Sequence, residues 1–228
     1  MGKKVCVVTW YGGTNYGTNL QAYALVKKLN LMGYTATIKG DIKKNVNYFF
    51  HPSIVLDRIR CKLNNIILKK NSNPNTEDDK KIELFKEFVD EIPKFNSYGK
   101  SEWERVKKEY AAFITGSDQV WNPNYFQGAM MLDFVTSGEI KKIAYAPSIG
   151  VNNLSVKIQH KYKKLLKSYC AVSVREEKAA ELLKDISPVP VQVVLDPTML
   201  LTYTEWDELS DRAVIQNEWN TKEDYILC

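Results

Sequence analysis

Short apolar runs alternate with helix-like segments along most of the chain, and this alternation restricts its fold more than any other feature. The runs are rich in β-branched residues, as is typical of strands buried on both faces of a sheet. They cover residues 5–9, 34–38, 111–115, 142–146, 171–174 and 191–195. Strands that alternate with helices predict an α/β fold, a doubly wound parallel sheet flanked by helices.

The first unit reads as strand, loop, helix and strand. Residues 10–18 contain three glycines and are expected to form a loop. The helix is expected to begin at Asn19 and to end before Gly33, which acts as its C-cap. Further along, Ser155 is expected to cap a helix whose buried face runs to Tyr169. These boundaries predict where loops can meet at the edge of the sheet.

Residues 45–98 interrupt the alternation. Apolar residues recur at helical spacing within 55–67 and again from Ile82 to Ile92, with an asparagine-rich stretch between them. This pattern predicts a helical insertion at about 45–98, which we expect to act as a mobile lid. The insertion belongs to a domain predicted to span 1–222. Residues 225–228 resemble one more strand, so 223–228 are expected to begin a second domain of a longer protein.

Composition argues against several classes of protein. The net charge is +5, from 32 basic and 27 acidic residues that are spread along the chain, which argues against nucleic-acid binding. No run approaches the roughly 18 apolar residues of a membrane span, so a cytoplasmic location with at most peripheral membrane contact is expected. The cysteines show no CxxC pair and there are two histidines, a pattern that predicts no metal site.

Polar residues cluster where the predicted strands end. Ligands of open parallel sheets bind beyond the carboxyl ends of the strands, so these residues predict a shared crevice. The candidates from position alone are Gly13, Asn15, Gly17, Asn19, Ser117, Asp118, Gln119, Ser148, Arg175 and Asp196.

Each candidate also allows a structural interpretation. The loop of residues 12–19 could bind an anion or a sugar through backbone N–H groups and a helix N-terminus, or could be a turn that needs positive φ. Asp118 could be a general acid or base or hold a sugar hydroxyl, and Ser117 or Asp118 could be a helix N-cap. Arg175 could grip a carboxylate or phosphate, or pair with Asp118 or Asp196. Asp196 could simply start a turn.

Taken in order, these stretches resemble the polysaccharide pyruvyl transferase family. The matching stretches are residues 15–21, 116–122, 145–150, 172–176 and 195–198. The run Gly-Ser-Asp-Gln-Val-Trp from Gly116 is the most specific, whereas Pro147 departs from the pattern, since a small residue is expected there. The resemblance implies the Rossmann-like N-terminal half of a two-domain GT-B type transferase, and it adds Gln21 to the candidate site.

The resemblance also implies an activity. Pyruvate would pass from phosphoenolpyruvate to sugar hydroxyls of a cell-surface polysaccharide or its lipid-linked precursor, forming a pyruvate ketal without metal or cofactor. Asp118 and Arg175 are the implied catalytic residues, and the other candidates are implied to bind substrate. This half alone is expected to be inactive. The alternatives are a GT-B type glycosyltransferase that uses a sugar nucleotide, or a non-catalytic domain that binds a sugar or an anion.

Overall fold

A computed structural model describes residues 2–39, 77–95, 107–136 and 138–217. Within these ranges seven strands form one sheet, and every neighbouring pair is parallel. The strands are β1 (Lys4–Val8), β2 (Thr35–Lys39), β3 (Lys94–Phe95), β4 (Tyr110–Thr115), β5 (Lys141–Ala144), β6 (Tyr169–Val174) and β7 (Val191–Val193).

Five α-helices accompany the sheet in the same ranges. They are α1 (Tyr16–Leu31), α2 (Glu77–Glu91), α3 (Val156–Leu166), α4 (Glu177–Leu183) and α5 (Tyr203–Asn217). Short 3₁₀ helices cover Lys107–Glu109, Pro123–Tyr125, Gly128–Met131 and Pro197–Leu200. The prediction of an α/β fold with a Rossmann-like parallel sheet is confirmed. The likeness to one half of a GT-B type transferase stays a prediction.

The strand order places a crevice between β1 and β4. The order across the sheet is β3-β2-β1-β4-β5-β6-β7, so the chain builds outward from β1 in one direction and then from β4 in the other. The loops that leave these two strands therefore diverge to opposite sides. Ligands of such sheets bind at this reversal of strand order, beyond the carboxyl ends of the strands.

Two apolar clusters cover the two faces of the sheet. Successive strand residues point to opposite faces, and in β1 Val5 and Val7 join one cluster whereas Cys6 and Val8 join the other. The first cluster is completed by α1 through Ala22, Leu25 and Val26. The second includes the buried aromatic side chains of Phe113, Trp121 and Tyr162. Burial on both faces explains why the strands are almost continuously apolar.

Two predicted helix boundaries are wrong. Helix α1 begins at Tyr16 because Asn15 is its N-cap, with Oδ1 accepting the Thr18 N–H at 2.9 Å. Helix α3 is capped by Ser155 as predicted but ends at Leu166, and Tyr169 opens β6 instead of closing the helical face. A single Asx cap thus moves the start of α1 into the segment assigned to a loop.

The described part of the predicted insertion contributes both a helix and a strand. Helix α2 packs on α1, with the rings of Tyr16 and Phe85 4.6 Å apart and those of Tyr23 and Phe88 5.4 Å apart. Ile82, predicted to be buried, is 50% exposed. Strand β3 extends the sheet beside β2 and was not predicted. Residues 40–76 and the predicted strand at 225–228 lie outside the described residues.

Candidate functional site

A cleft of about 360 Å³ lies at the carboxyl ends of the strands. Its volume falls within the roughly 300–1,000 Å³ of small-molecule sites. Its lining comes from the segments after β1, β4, β6 and β7, and consists of Asn15, Gly17, Thr18, Gln21, Asp118, Arg175, Asp196 and Thr198. All of these except Thr18 and Thr198 were candidates from the sequence. The remaining candidates, Gly13, Asn19, Ser117, Gln119 and Ser148, lie behind or beside this lining.

The glycine-bearing loop is shaped by the buried side chain of Asn19. Its Oδ1 accepts the Gly12 N–H at 2.7 Å, and its Nδ2 donates to the Gly13 carbonyl at 3.1 Å. Gly12 and Gly13 adopt φ of 85° and 71°, a region that favours glycine. Gly13 and Asn19 therefore define the course of the loop and do not line the cleft.

The N-terminus of α1 supplies partial positive charge at the cleft. Since Asn15 accepts the N–H of Thr18, the N–H groups of Tyr16 and Gly17 remain at the first helical positions, where no carbonyl of the helix can accept them. Such groups, together with the helix dipole, favour an anion. The loop is thus both a turn with positive φ and an edge of the cleft.

Gln21 connects the segment after β1 with the segment after β4. Its Nε2 donates to the carbonyls of Trp10 at 3.0 Å and Thr18 at 2.9 Å, and its Oε1 accepts the Ser117 N–H at 3.1 Å. The residue is only 2% exposed. These contacts hold the two sides of the cleft at a fixed separation.

Asp118 presents a half-buried carboxylate to the cleft. Oδ1 accepts the N–H of Gln119 at 2.7 Å, and Oδ2 accepts the hydroxyl of Thr18 at 2.9 Å. The interpretation as a helix N-cap is wrong, because the next helical element is the 3₁₀ helix Pro123–Tyr125, which Asn122 caps. Asp118 has a positive φ of 66°, so the backbone bends sharply where its side chain meets α1.

Ser117 and Gln119 support the turn around Asp118. The buried Ser117 hydroxyl lies 2.9 Å from the Ala146 carbonyl and 3.0 Å from Asp196 Oδ2. Gln119 Oε1 accepts from the Asn122 amide at 2.9 Å. Both side chains are engaged within the protein.

Arg175 and Asp196 form an ion pair across the cleft floor, with Nη1 and Oδ2 3.0 Å apart. Asp196 Oδ1 accepts the Thr198 N–H at 3.0 Å and the Thr198 hydroxyl at 2.8 Å. Burial acts to raise the pKa of Asp196, but the hydrogen bonds from Thr198, Arg175 and Ser117 outweigh it and lower that pKa below its usual value. Asp196 also caps the 3₁₀ helix Pro197–Leu200. It therefore both starts a turn and pairs with the guanidinium of Arg175.

Three polar residues of this region were missed from the sequence. Thr18 and Thr198 line the cleft, and Glu176 accepts from Arg175 Nε at 3.2 Å. Thr18 had been assigned to a loop, and recognition of Asn15 as a cap would have placed it in the first turn of a helix facing the strand ends. Glu176 stands directly after Arg175, a position that by itself carries no signal for a contact.

The described ranges contain neither a metal-binding cluster nor a membrane-spanning helix. No group of three or more His, Cys, Asp or Glu side chains there is placed to hold a metal ion. Within the same ranges none of the helices has the length and apolar character that crossing a membrane requires.

Comparison with known proteins identifies the family. The family model described as polysaccharide pyruvyl transferase matches residues 15–228, a range that contains every residue lining the cleft. No curated protein matches the chain. The match supports polysaccharide pyruvyl transferase activity in general, with a polysaccharide acceptor. The chain therefore belongs to the polysaccharide pyruvyl transferase family.

Proposed function

We propose that the cleft binds phosphoenolpyruvate and that its pyruvyl group passes to two hydroxyls of a sugar in a polysaccharide or its lipid-linked precursor. The product is a cyclic pyruvate ketal, and the phosphate is released. The observation that carries this proposal is that one cleft combines an arginine and a helix N-terminus with a carboxylate, Asp118, that pairs with no cation among the described residues. The first two suit an anionic donor and the third suits a sugar hydroxyl.

The cationic groups suit the two anionic ends of phosphoenolpyruvate. Arg175 lines the cleft, and a guanidinium can hold a carboxylate or phosphate through paired N–H donors. The N-terminus of α1, at Tyr16 and Gly17, offers backbone N–H groups to the other anion. Gly17 and Thr18 of this helix end line the cleft.

The two carboxylates lining the cleft differ in their hydrogen-bond partners. Asp196 accepts from Arg175, Ser117 and Thr198, and its pKa is lowered, so it suits the role of a fixed counter-charge. Asp118 accepts one backbone N–H and one hydroxyl, neither of them from a charged group. We therefore assign Asp118 as the base that takes the proton of the attacking sugar hydroxyl.

The bond changes follow from the chemistry of an enol phosphate. A proton from solvent adds to C3 and makes C2 electrophilic, and one sugar oxygen adds to C2 as its proton moves to Asp118. The C2–O bond to phosphate then breaks, and a second hydroxyl of the sugar adds to C2 to close the ketal and passes its proton to the released phosphate. The positive charge that develops at C2 calls for a nearby carboxylate, and we assign this role to Asp118 as well, before it takes the proton.

Calorimetric titration of phosphoenolpyruvate into the chain tests the donor site. Arg175→Met keeps the length of the side chain but removes its charge, so we expect binding at least tenfold weaker than in wild type. Lys178→Met is the matched control, because Lys178 is exposed and its ion-pair partner among the described residues is Glu181 on the surface of α4. Absence of binding by wild type, or equal losses in both variants, would contradict the proposed donor.

Acceptor-dependent release of phosphate tests the role of Asp118. The assay uses a preparation of the protein that has measurable transferase activity. Asp118→Asn keeps an oxygen that accepts from the Thr18 hydroxyl but removes the base, so the rate of phosphate release is expected to fall roughly 100-fold or more. Binding of the donor is expected to be retained. A rate equal to wild type would remove Asp118 from the proton transfer.

A further inference from the structure

The guanidinium of Arg175 is held by two carboxylates on different edges. Nε donates to Glu176 Oε1 at 3.2 Å, and Nη1 donates to Asp196 Oδ2 at 3.0 Å. Arginine has five N–H donors in a rigid plane. Among the described residues Nη2 has no hydrogen-bond acceptor, so this nitrogen remains available to a ligand in the cleft that Arg175 lines.

Glu176 is in turn held by Ser148. The Ser148 hydroxyl donates to Glu176 Oε1 at 2.6 Å. Ser148 is only 3% exposed, and its backbone is fixed on both sides: its N–H donates to the Asp118 carbonyl at 2.8 Å, and its carbonyl accepts the Trp121 N–H at 3.3 Å. The hydroxyl of Ser148 is therefore a donor in a fixed position beyond the lining of the cleft.

One oxygen of Glu176 carries both of these contacts. Oε1 accepts from Ser148 and from Arg175, whereas Oε2 is buried and has no hydrogen-bond partner in the described ranges. The two donors converge on one oxygen and together hold the carboxylate in this orientation. The negative charge of Glu176 thus stays beside the guanidinium, with the side chains of Arg175 and Glu176 33% and 40% exposed.

We propose that Ser148 and Glu176 are positioning residues that orient Arg175 so that Nη2 faces the anion of the substrate. Identification of that anion with phosphoenolpyruvate rests on the proposed function, but the orientation of Arg175 does not. Ser148, a candidate for substrate binding from the sequence, is thereby assigned to the support of Arg175.

Hydrogen exchange of the Arg175 Nε–H, followed by NMR with ¹⁵N-arginine, tests the orientation without any ligand. The signal is assigned by its loss in Arg175→Lys. We expect exchange at least tenfold faster in Glu176→Ala, faster by a smaller factor in Ser148→Ala, and close to wild type in Glu176→Gln, because the amide oxygen can still accept from Nε. Equal exchange rates in wild type, Ser148→Ala and Glu176→Ala would overturn the proposal. If Glu176→Ala does not fold, the comparison with Ser148→Ala decides alone.

Binding of phosphoenolpyruvate provides the second readout. Ser148→Ala should weaken binding about tenfold, which corresponds to about 1.4 kcal/mol, although Ser148 does not line the cleft. Ser155→Ala, at the exposed cap of α3, is the matched control and should bind like wild type. Unchanged binding in Ser148→Ala would contradict the role of Ser148. If wild type does not bind phosphoenolpyruvate, the donor assignment fails, and the exchange rates still decide the orientation of Arg175.

Discussion

Replacement of Asp196 by Asn removes the charge at the meeting point of three segments. The carboxylate accepts from Ser117 and Arg175 through Oδ2, and from the N–H and hydroxyl of Thr198 through Oδ1. An amide keeps one oxygen and places an NH₂ group against one of these donor pairs. Whichever way the amide turns, at least one pair of donors loses its acceptor.

The expected cost of this substitution is about 2 kcal/mol. Hydrogen bonds to charged groups contribute about 1.5–3 kcal/mol each, but the side chains of Arg175 and Asp196 are 33% and 22% exposed, so water replaces part of the loss. With an m-value of about 2 kcal/mol/M in urea, the midpoint of unfolding should fall by roughly 1 M.

The difference between wild type and Asp196→Asn should depend on pH in one direction. The pKa of Asp196 is lowered in the folded state, so its contribution is fully present above the unfolded value of about 3.9. It is lost as the pH falls through the folded pKa. Urea unfolding at pH 7 and at about pH 3 measures this change, with the exposed Asp185→Asn as control. A stability difference of the same size at both pH values would refute the reasoning.

Three further substitutions test other contacts. Gly116→Ala places a Cβ 2.1 Å from the Tyr145 carbonyl oxygen, at a backbone φ of 108°, and should lower the free energy of unfolding by at least about 3 kcal/mol in thermal unfolding. Gly138→Ala is the control, because open space surrounds this position, and it should lower the free energy of unfolding little. Similar melting of the two variants would contradict the steric argument. Gln21→Met leaves the buried Ser117 N–H without its acceptor and should lower the free energy of unfolding, measured with urea, by about 2–4 kcal/mol. A decrease below about 0.5 kcal/mol would count against the bridging role of Gln21. Tyr162→Phe removes the donor to the Trp121 carbonyl and should lower the free energy of unfolding by about 1–2 kcal/mol. Tyr203→Phe, at an exposed position, should leave the free energy of unfolding unchanged. Equal effects of the two substitutions would argue against a buried hydrogen bond at Tyr162.

The alternation of strands and helices was sufficient to predict the sheet, because burial on both faces leaves a clear apolar pattern. The boundaries of the helices and strands depend on individual side-chain contacts, which the apolar pattern does not reveal. The expected start of α1 at Asn19 was wrong because the side chain of Asn19 is bound to Gly12 and Gly13, and Asn15 caps the helix instead. Strand β3 has two residues, too few for any periodicity.

The sequence predicted those residues of the candidate site that follow directly from their position at the end of a strand. It did not predict which side chains contact each other. Asp118, Arg175 and Asp196 follow strands, so the topology places them together. Their partners are set by side-chain directions, and the sequence left it open whether Arg175 pairs with Asp118 or Asp196. The structure shows the pair with Asp196, and Asp118 contacts Thr18 instead.

The pairing of β1 with β4 has a consequence for how the protein folds. Thr9 and Ser117, which are buried and hydrogen-bonded to each other next to the cleft, are 108 residues apart in the chain. Contacts between such distant segments form only after a large loss of chain entropy, which slows folding. The first βαβ unit can assemble locally, but both walls of the cleft exist only once the centre of the sheet has closed. A ligand that binds there therefore stabilises the complete fold and not an early intermediate, so ligand binding during refolding should report the last stage of sheet assembly.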